Sequence, residues 1–248
     1  MEVIDICSFN NELEILDLRV KILENIVDKF YVIESTKTHS GLPKDCVGRL
    51  YEHPKVQIIT IDFPDGLDTW QREHYQRAYA VDLDSFSKDS LVITSDLDEI
   101  ADPNAIAWLK ENFDSTLIYT LGQKMYQYYL NVFSEEKWAS IRVCSIENYN
   151  KYNADILRHG GLPTMTLDDA GWHWSFLGGE EAIEHKIKSY AHQEFNSEET
   201  ITSIKERLLN NEDVFDRGFA LTTVPIDETF PEYIRNNQDK LKHLIKGI

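Results

Sequence analysis

Positive charge is scarce in this chain: 25 Lys and Arg stand against 43 Asp and Glu, a formal net charge of −18 over 248 residues. Such a surface repels a phosphate backbone unless a basic patch interrupts it, and the sequence shows none, so no nucleic-acid partner is expected. Cysteine is scarce as well. Cys7, Cys46 and Cys144 are odd in number and lack metal-type spacing, and Cys7 and Cys144 sit in apolar, strand-like runs. That pattern points to reduced thiols rather than a disulfide framework. No run of about 18 apolar residues occurs, so no integral membrane segment is expected. The opening Met1-Glu2-Val3-Ile4-Asp5 carries acids where a signal peptide carries bases. Asparagine is plentiful, yet no Asn-x-Ser/Thr acceptor with a permitted middle residue is present. These absences set the expectation of a cytoplasmic protein.

What is present is an ordinary globular balance, 42% hydrophobic and 27% charged, with length enough for one large core. An acidic protein still accepts an anionic ligand when a divalent cation stands between the two sets of negative charge.

Val3 to Phe9 reads as a buried strand, after which Asn11 is placed to cap a helix, with Glu14 three residues on. Leu13, Leu16, Val20, Leu23 and Val27 then recur at three- and four-residue intervals, one apolar stripe that packs on a sheet. Phe30 to Glu34 is a second strand, so the first 34 residues form a βαβ unit and the fold class is α/β with parallel pairing. A polar loop over 35–54, a strand at Val56 to Ile61 and a helix from Thr69 to about Phe86 follow. In that helix Trp70, His74, Ala78 and Val81 share one side. Leu91 to Thr94 is nearly all apolar, as a strand covered on both faces must be. A short helix after Pro103 and longer strands over 117–133 and 138–146 suggest a mixed sheet, and 179–211 is helical in pattern.

The sharpest feature is Leu91 to Ile100, where an apolar strand runs into Asp96, Asp98 and Glu99. Ligands of parallel α/β sheets bind outside the carboxyl ends of the strands. If the backbone stays extended, Asp96 and Asp98 point the same way and share one hard cation, magnesium or manganese, with positions left for two phosphate oxygens. The alternative is a solvated turn capping the helix at Pro103. Upstream, Arg72 and Arg77 suit phosphate or a base edge, although Glu73 and Arg77 also have the spacing of a surface ion pair. The segment Gly171-Trp172-His173-Trp174 reads either as a core strand with a satisfied histidine or as a site. In the second case its aromatic faces meet sugar rings and His173 completes the cation's shell. His185, Lys186, Lys188, His192 and Glu194 cluster on a helix that also reads as a solvated face.

Phe9 to Leu16, the loop Glu34-Ser35-Thr36-Lys37-Thr38-His39-Ser40-Gly41, Arg72-Glu73, Ser95 to Ile100 and Gly171-Trp172-His173 occur in an order that resembles glycosyltransferase family seventeen. The resemblance spans roughly residues 1 to 195. It implies a GT-A-like single domain over 1–248, with a mixed, mostly parallel sheet flanked by helices. Residues 1–114 would form a Rossmann-like nucleotide-sugar-binding half, 115–195 an acceptor and metal half, and 196–248 a helical appendage. It also implies a UDP-sugar donor carrying GlcNAc, a glycan acceptor, Mn2+ or Mg2+ at Asp96 and Asp98 with His173 as ligand or donor contact, and inversion at the anomeric carbon. Glu34, Arg72, Arg77 and Asp96 would contact the donor. Asp168, Asp169, Glu180 and Glu194 are the candidates for the base that an inverting displacement needs. Animal members of the family carry a membrane anchor and a luminal stem, whereas this chain begins at its first strand, so a bacterial or viral cytosolic relative is expected.

Two other classes compete. An aspartate-nucleophile phosphatase also places Asp-x-Asp after an apolar strand, but there a Thr or Val follows the second Asp by one position and the strand opens the domain, where this chain has Glu99-Ile100 in mid-sequence. A carbohydrate-binding module would use Trp172 and Trp174 as ring platforms.

Overall fold

The computed structural model describes residues 1–247. In chain order the first half comprises β1 (Val3–Phe9), α1 (Leu13–Leu23), β2 (Lys29–Ser35), β3 (Val56–Ile61), α2 (Thr69–Arg77), β4 (Leu91–Asp96), β5 (Glu99–Ala101) and α3 (Pro103–Asn112). There follow β6 (Tyr119–Gln127), β7 (Val132–Ser145), α4 (Ile146–His159), β8 (Met165–Leu167), β9 (Gly171–Ser175), α5 (Gly179–Ser189), α6 (Glu198–Asn210), β10 (Leu221–Thr223) and α7 (Glu232–Asn236). One mixed sheet in the order β3-β2-β1-β4-β7-β6-β9-β5 runs through the protein, with β10 on β7 and β8 on β6. β3, β2, β1 and β4 are parallel to one another, and β7 joins β4 antiparallel. The α/β fold with a mostly parallel sheet flanked by helices is therefore the one the first βαβ unit implied.

Two-residue alternation sends each strand's side chains to opposite faces. Val3, Cys7 and Phe9 of β1 and Leu91 and Ile93 of β4 pack with α1, α3 and α7. Ile4, Ile6 and Val92 face the other way, onto α4. A third, smaller apolar cluster holds α5 and α6 together with Tyr128 and Val132. Residues after 196 include a strand as well as helices, and Phe230, Ile234, Leu241 and Leu244 lie in the principal core.

Two helix boundaries differ from the sequence reading. Asn11 does not cap α1: its backbone is left-handed (φ 71°), which asparagine tolerates, and its Oδ1 accepts from Lys44 Nζ at 2.8 Å. Helix α2 is closed at its start by an Asp68/Gln71 capping box but stops at Arg77 rather than near Phe86. Beyond it Val81 and Leu83 are both buried, a spacing of two that extended chain satisfies and a helix does not.

One side chain ties the layers together. Arg19, on the buried face of α1, is fully enclosed and donates Nε and Nη2 to the two oxygens of Asp5 at 2.9 and 2.8 Å. Its Nη1 donates to the carbonyls of Asp96, Leu97 and Glu99 at 2.9, 3.1 and 2.7 Å, and Nη2 also reaches Ser95 Oγ at 2.7 Å. Burial works against the guanidinium charge, but Asp5, with smaller contributions from its other neighbours including Glu99, more than offsets it, and the pKa rises above the usual arginine range. Arg19→Met would leave the Asp5 carboxylate buried without a partner, and losses of about 3–5 kcal/mol attend that situation. Urea denaturation is expected to show a loss of this size, and Arg19→Lys is expected to recover only part of it because an ammonium lacks the two-pronged geometry.

Candidate active site

Strand β4 does not continue straight through the acidic motif. Leu97 and Asp98 form a turn, and β5 then pairs antiparallel with β9, placing Glu99 opposite His173. Trp174 N donates to Asp98 O at 2.9 Å, so the turn is bonded to the Gly171-Trp172-His173 segment. That pairing requires Gly171: a Cβ there would lie 2.7 Å from Ile100 O. Because of the turn, Asp96 and Asp98 do not act in common as an extended chain would have them do. Asp96 faces Arg77 at 3.2 Å and Arg158 at 3.0 Å, one arginine for each oxygen. Asp98 faces Lys186 Nζ at 2.5 Å and His173 Nε2 at 3.5 Å. Glu99 is fully buried and takes two bonds from Arg158, at 2.8 and 2.9 Å, and one from Trp138 Nε1 at 2.8 Å. None of the three caps α3, whose cap is Asp102.

Burial alone would push all three carboxyls toward the protonated form. For Asp96 it is outweighed by Arg158 and then Arg77, for Asp98 by Lys186 and then His173, and for Glu99 by Arg158, so each titrates below its ordinary range. Glu12 goes the other way: burial raises its carboxyl and Lys186, 3.8 Å distant, offsets this only in part. These groups border a cavity of about 450 Å³ at the carboxyl ends of β1 and β4. One end is ionic, with Asp96, Asp98, Arg77, Arg158, Lys186 and His173. The other is aromatic, with Trp70, Tyr190, His192, Phe195 and Phe215.

The remaining residues singled out in the sequence lie elsewhere. Glu34 is buried beneath the 36–48 loop, accepting from Lys44 Nζ at 3.0 Å, Val47 N at 2.9 Å and Gly48 N at 3.1 Å. Arg72 donates to His39 O at 2.5 Å and packs under Gly41. Both hold that loop, and neither borders the cavity. Asp168 and Asp169 are exposed between β8 and β9, Glu180 is exposed in the first turn of α5, and Glu194 is exposed and bound to His192. None of these four borders the cavity, whereas Glu12 and Glu73 do. Trp172 and Trp174 are core residues with stacked rings 5.8 Å apart and indole N–H groups on the carbonyls of Thr229 and Leu130, so they offer no platform to a sugar. Arg158, which holds both Asp96 and Glu99, escaped the sequence reading: in the last turn of α4 it has the appearance of a residue complementing the helix dipole.

A divalent cation's donor set is only partly assembled. Asp98 and His173 put a carboxylate oxygen and an imidazole nitrogen together on the cavity wall, a pair that fits manganese. Asp96 does not join them as a third ligand, since both its oxygens are turned to guanidinium groups. Among the described residues, three ligand-type atoms come within 4.8 Å of one another at His74, Asp155 and His159. Arg77 Nη1 lies 3.3 Å from Asp155 and 3.2 Å from His159, just as Lys186 Nζ lies 2.5 Å from Asp98, so beside either set a cation stands that a metal ion would have to displace.

The chain is 24% identical to the beta-1,4-mannosyl-glycoprotein 4-beta-N-acetylglucosaminyltransferase of Rattus norvegicus, an alignment covering 99% of this chain and 54% of the relative. It is 27% identical to the protein of the same name from Homo sapiens, over 78% of this chain and 44% of the relative. The chain thus spans about half the length of the curated relatives it matches. Among solved structures, S. aureus TarS 1–349 shows a distant likeness, with a TM-score of 0.44 at 10% identity over 98% of this chain and 81% of that one. The family model for glycosyltransferase family 17 matches residues 1–247, and the chain belongs to that family.

A carboxyl whose folded pKa is depressed contributes stability that is present above its unfolded pKa, about 4, and is lost as pH falls. Arg158→Met removes the partner of buried Glu99, so unfolding in urea at pH 7 is expected to show a deficit of about 3 kcal/mol. At pH 4.5 the deficit should shrink, because the unpaired Glu99 takes up a proton. An equal deficit at both pH values would contradict the pairing.

Proposed function

We propose that this chain transfers N-acetylglucosamine from a UDP-sugar to a glycan acceptor, with inversion, in a GT-A-like arrangement and a cytoplasmic setting. The observation that carries the reading is the convergence of Arg77, Arg158 and Lys186 with Asp98 and His173 on one cavity at the carboxyl ends of β1 and β4, in a chain of net charge −18. A manganese or magnesium ion held by Asp98 and His173 would supply positive charge to the diphosphate leaving group. The protein's own contribution is electrostatic and positional. Arg77 and Arg158 keep Asp96 ionised and fixed, and Arg158 holds Glu99 beneath the site. Lys186, 22% exposed at its side chain and borne on α5, is the ammonium best placed to turn from Asp98 toward a phosphate oxygen.

The phosphatase reading fares worse. A nucleophilic carboxylate must offer a free oxygen to phosphorus, and both oxygens of Asp96 are engaged by arginines. The carbohydrate-module reading loses its platforms with the burial of Trp172 and Trp174.

Asp98→Asn keeps the side chain's size and removes its charge. Turnover of UDP-GlcNAc at fixed manganese is expected to fall at least tenfold while the melting temperature shifts by only a few degrees. His173→Ala should behave likewise. Turnover retained in Asp98→Asn, or full activity of the parent in excess chelator, would overturn the metal assignment.

A further inference from the structure

The donor chemistry proposed above makes no use of the aromatic end of the cavity. Its side chains come from three stretches that are far apart in sequence. Trp70 opens α2, Tyr190, His192 and Phe195 lie in the α5–α6 connection, and Phe215 follows α6. The rings form a continuous chain: Trp70 meets His192 edge-on at 4.4 Å, His192 lies 5.5 Å from Tyr190 and 5.9 Å from Phe195, and Phe195 meets Phe215 at 4.5 Å. Trp70 is 39% exposed although large and apolar. Polar groups without partners accompany the rings. The hydroxyl of Tyr190 is buried and unbonded, as is Oδ1 of Asn10, whose Nδ2 donates to the neighbouring Ser189 at 2.8 Å, and both residues border the cavity; the unbonded Nδ1 of His173 lies at the ionic end instead. Phe176 links the two ends, with Lys186 Nζ 5.2 Å from its ring centre and Tyr190 6.1 Å away.

On the glycosyltransferase reading above, we infer that this aromatic end is the acceptor subsite and that it takes a pyranose ring. A pyranose presents C–H groups on its faces and hydroxyls around its rim, which suits ring faces supplemented by isolated hydrogen-bonding groups. A nucleoside diphosphate would find Arg77, Arg158 and Lys186 together at the ionic end, by the carboxyl ends of β1 and β4, against Arg217 alone at the aromatic end, 5.3 Å from the Phe215 ring centre. Transfer requires the acceptor hydroxyl to lie across the sugar from the departing diphosphate, and the cavity is continuous from Asp98 past Lys186 and Phe176 to Tyr190.

The test uses the full chain with methyl β-D-mannopyranoside as probe, followed by saturation-transfer NMR without nucleotide, and with UDP binding followed by calorimetry. Phe195→Ala removes a platform, and Tyr190→Phe removes the unbonded hydroxyl while keeping the ring, so the second variant serves if the first is unstable. Both variants are expected to weaken the pyranoside signal severalfold and to leave the UDP Kd within about twofold of the parent. A pyranoside signal equal to the parent's in both variants, or a UDP Kd weakened in step with the loss of the rings, would overturn the assignment. The second of these results would identify the aromatic end as the nucleobase site. A parent that binds the pyranoside through these residues but fails to bind UDP would support the subsite and refute the donor reading, so the two fail separately.

Discussion

The site depends on one buried guanidinium. Arg19 leaves the face of α1, pairs with Asp5 in β1, and donates its remaining protons to Ser95 Oγ and the carbonyls of Asp96, Leu97 and Glu99. Those carbonyls belong to the turn that carries the carboxylates, so helix, first strand and motif are fixed by a single residue that the cavity never touches. A neutral or more weakly anchored side chain would leave the turn free to relax, and the directions of Asp96 and Asp98 would go with it. The preorganisation on which electrostatic catalysis relies thus begins one layer behind the residues that would meet a ligand.

The second organising fact is local charge balance inside an acidic protein. Asp96, Asp98 and Glu99 are crowded into four positions, and three cations drawn from α2, α4 and α5 answer them: Arg77, Arg158 and Lys186. Each pair is largely withdrawn from water, where attraction between opposite charges is stronger and an unpaired charge is less tolerable. The wall that results is neither basic nor acidic on balance. It is a set of opposite charges in close contact, ready to exchange partners when an anion or a cation enters.

The parts of this arrangement that were legible in sequence are those encoded locally. The βαβ start and the nearly all-apolar run that opens β4 follow from periodicity, and the order of short motifs was enough to point to the family. What escaped depends on long-range contact. Glu34 and Arg72 resembled donor ligands because they stand at a strand end and on a helix face, yet each is consumed in holding the 36–48 loop. The expectation that Asp96 and Asp98 share one direction rested on extended backbone, and a two-residue turn removes it. Arg158 lies 59 positions from Glu99 and carries no local mark of its role. The aromatic tract Trp172 to Trp174 and the scattered rings at 70, 190, 195 and 215 looked alike as composition, and only the fold separates core from cavity.

The third apolar cluster has a consequence for motion. Helices α5 and α6 and the loops that bear Tyr190 and Phe215 rest on the third apolar cluster, which they share with Tyr128, Val132 of β7 and Leu221 of β10 at the margin of the sheet. Local opening of such a peripheral cluster costs less free energy than global unfolding. What latches it to the sheet includes the Lys186–Asp98 pair and the bonds from Asn10 and Ser40 to Ser189. Opening this lobe breaks the same ion pair that borders the ionic end. A charged ligand that draws Lys186 away from Asp98 would therefore also loosen one of the contacts that hold α5 to the sheet.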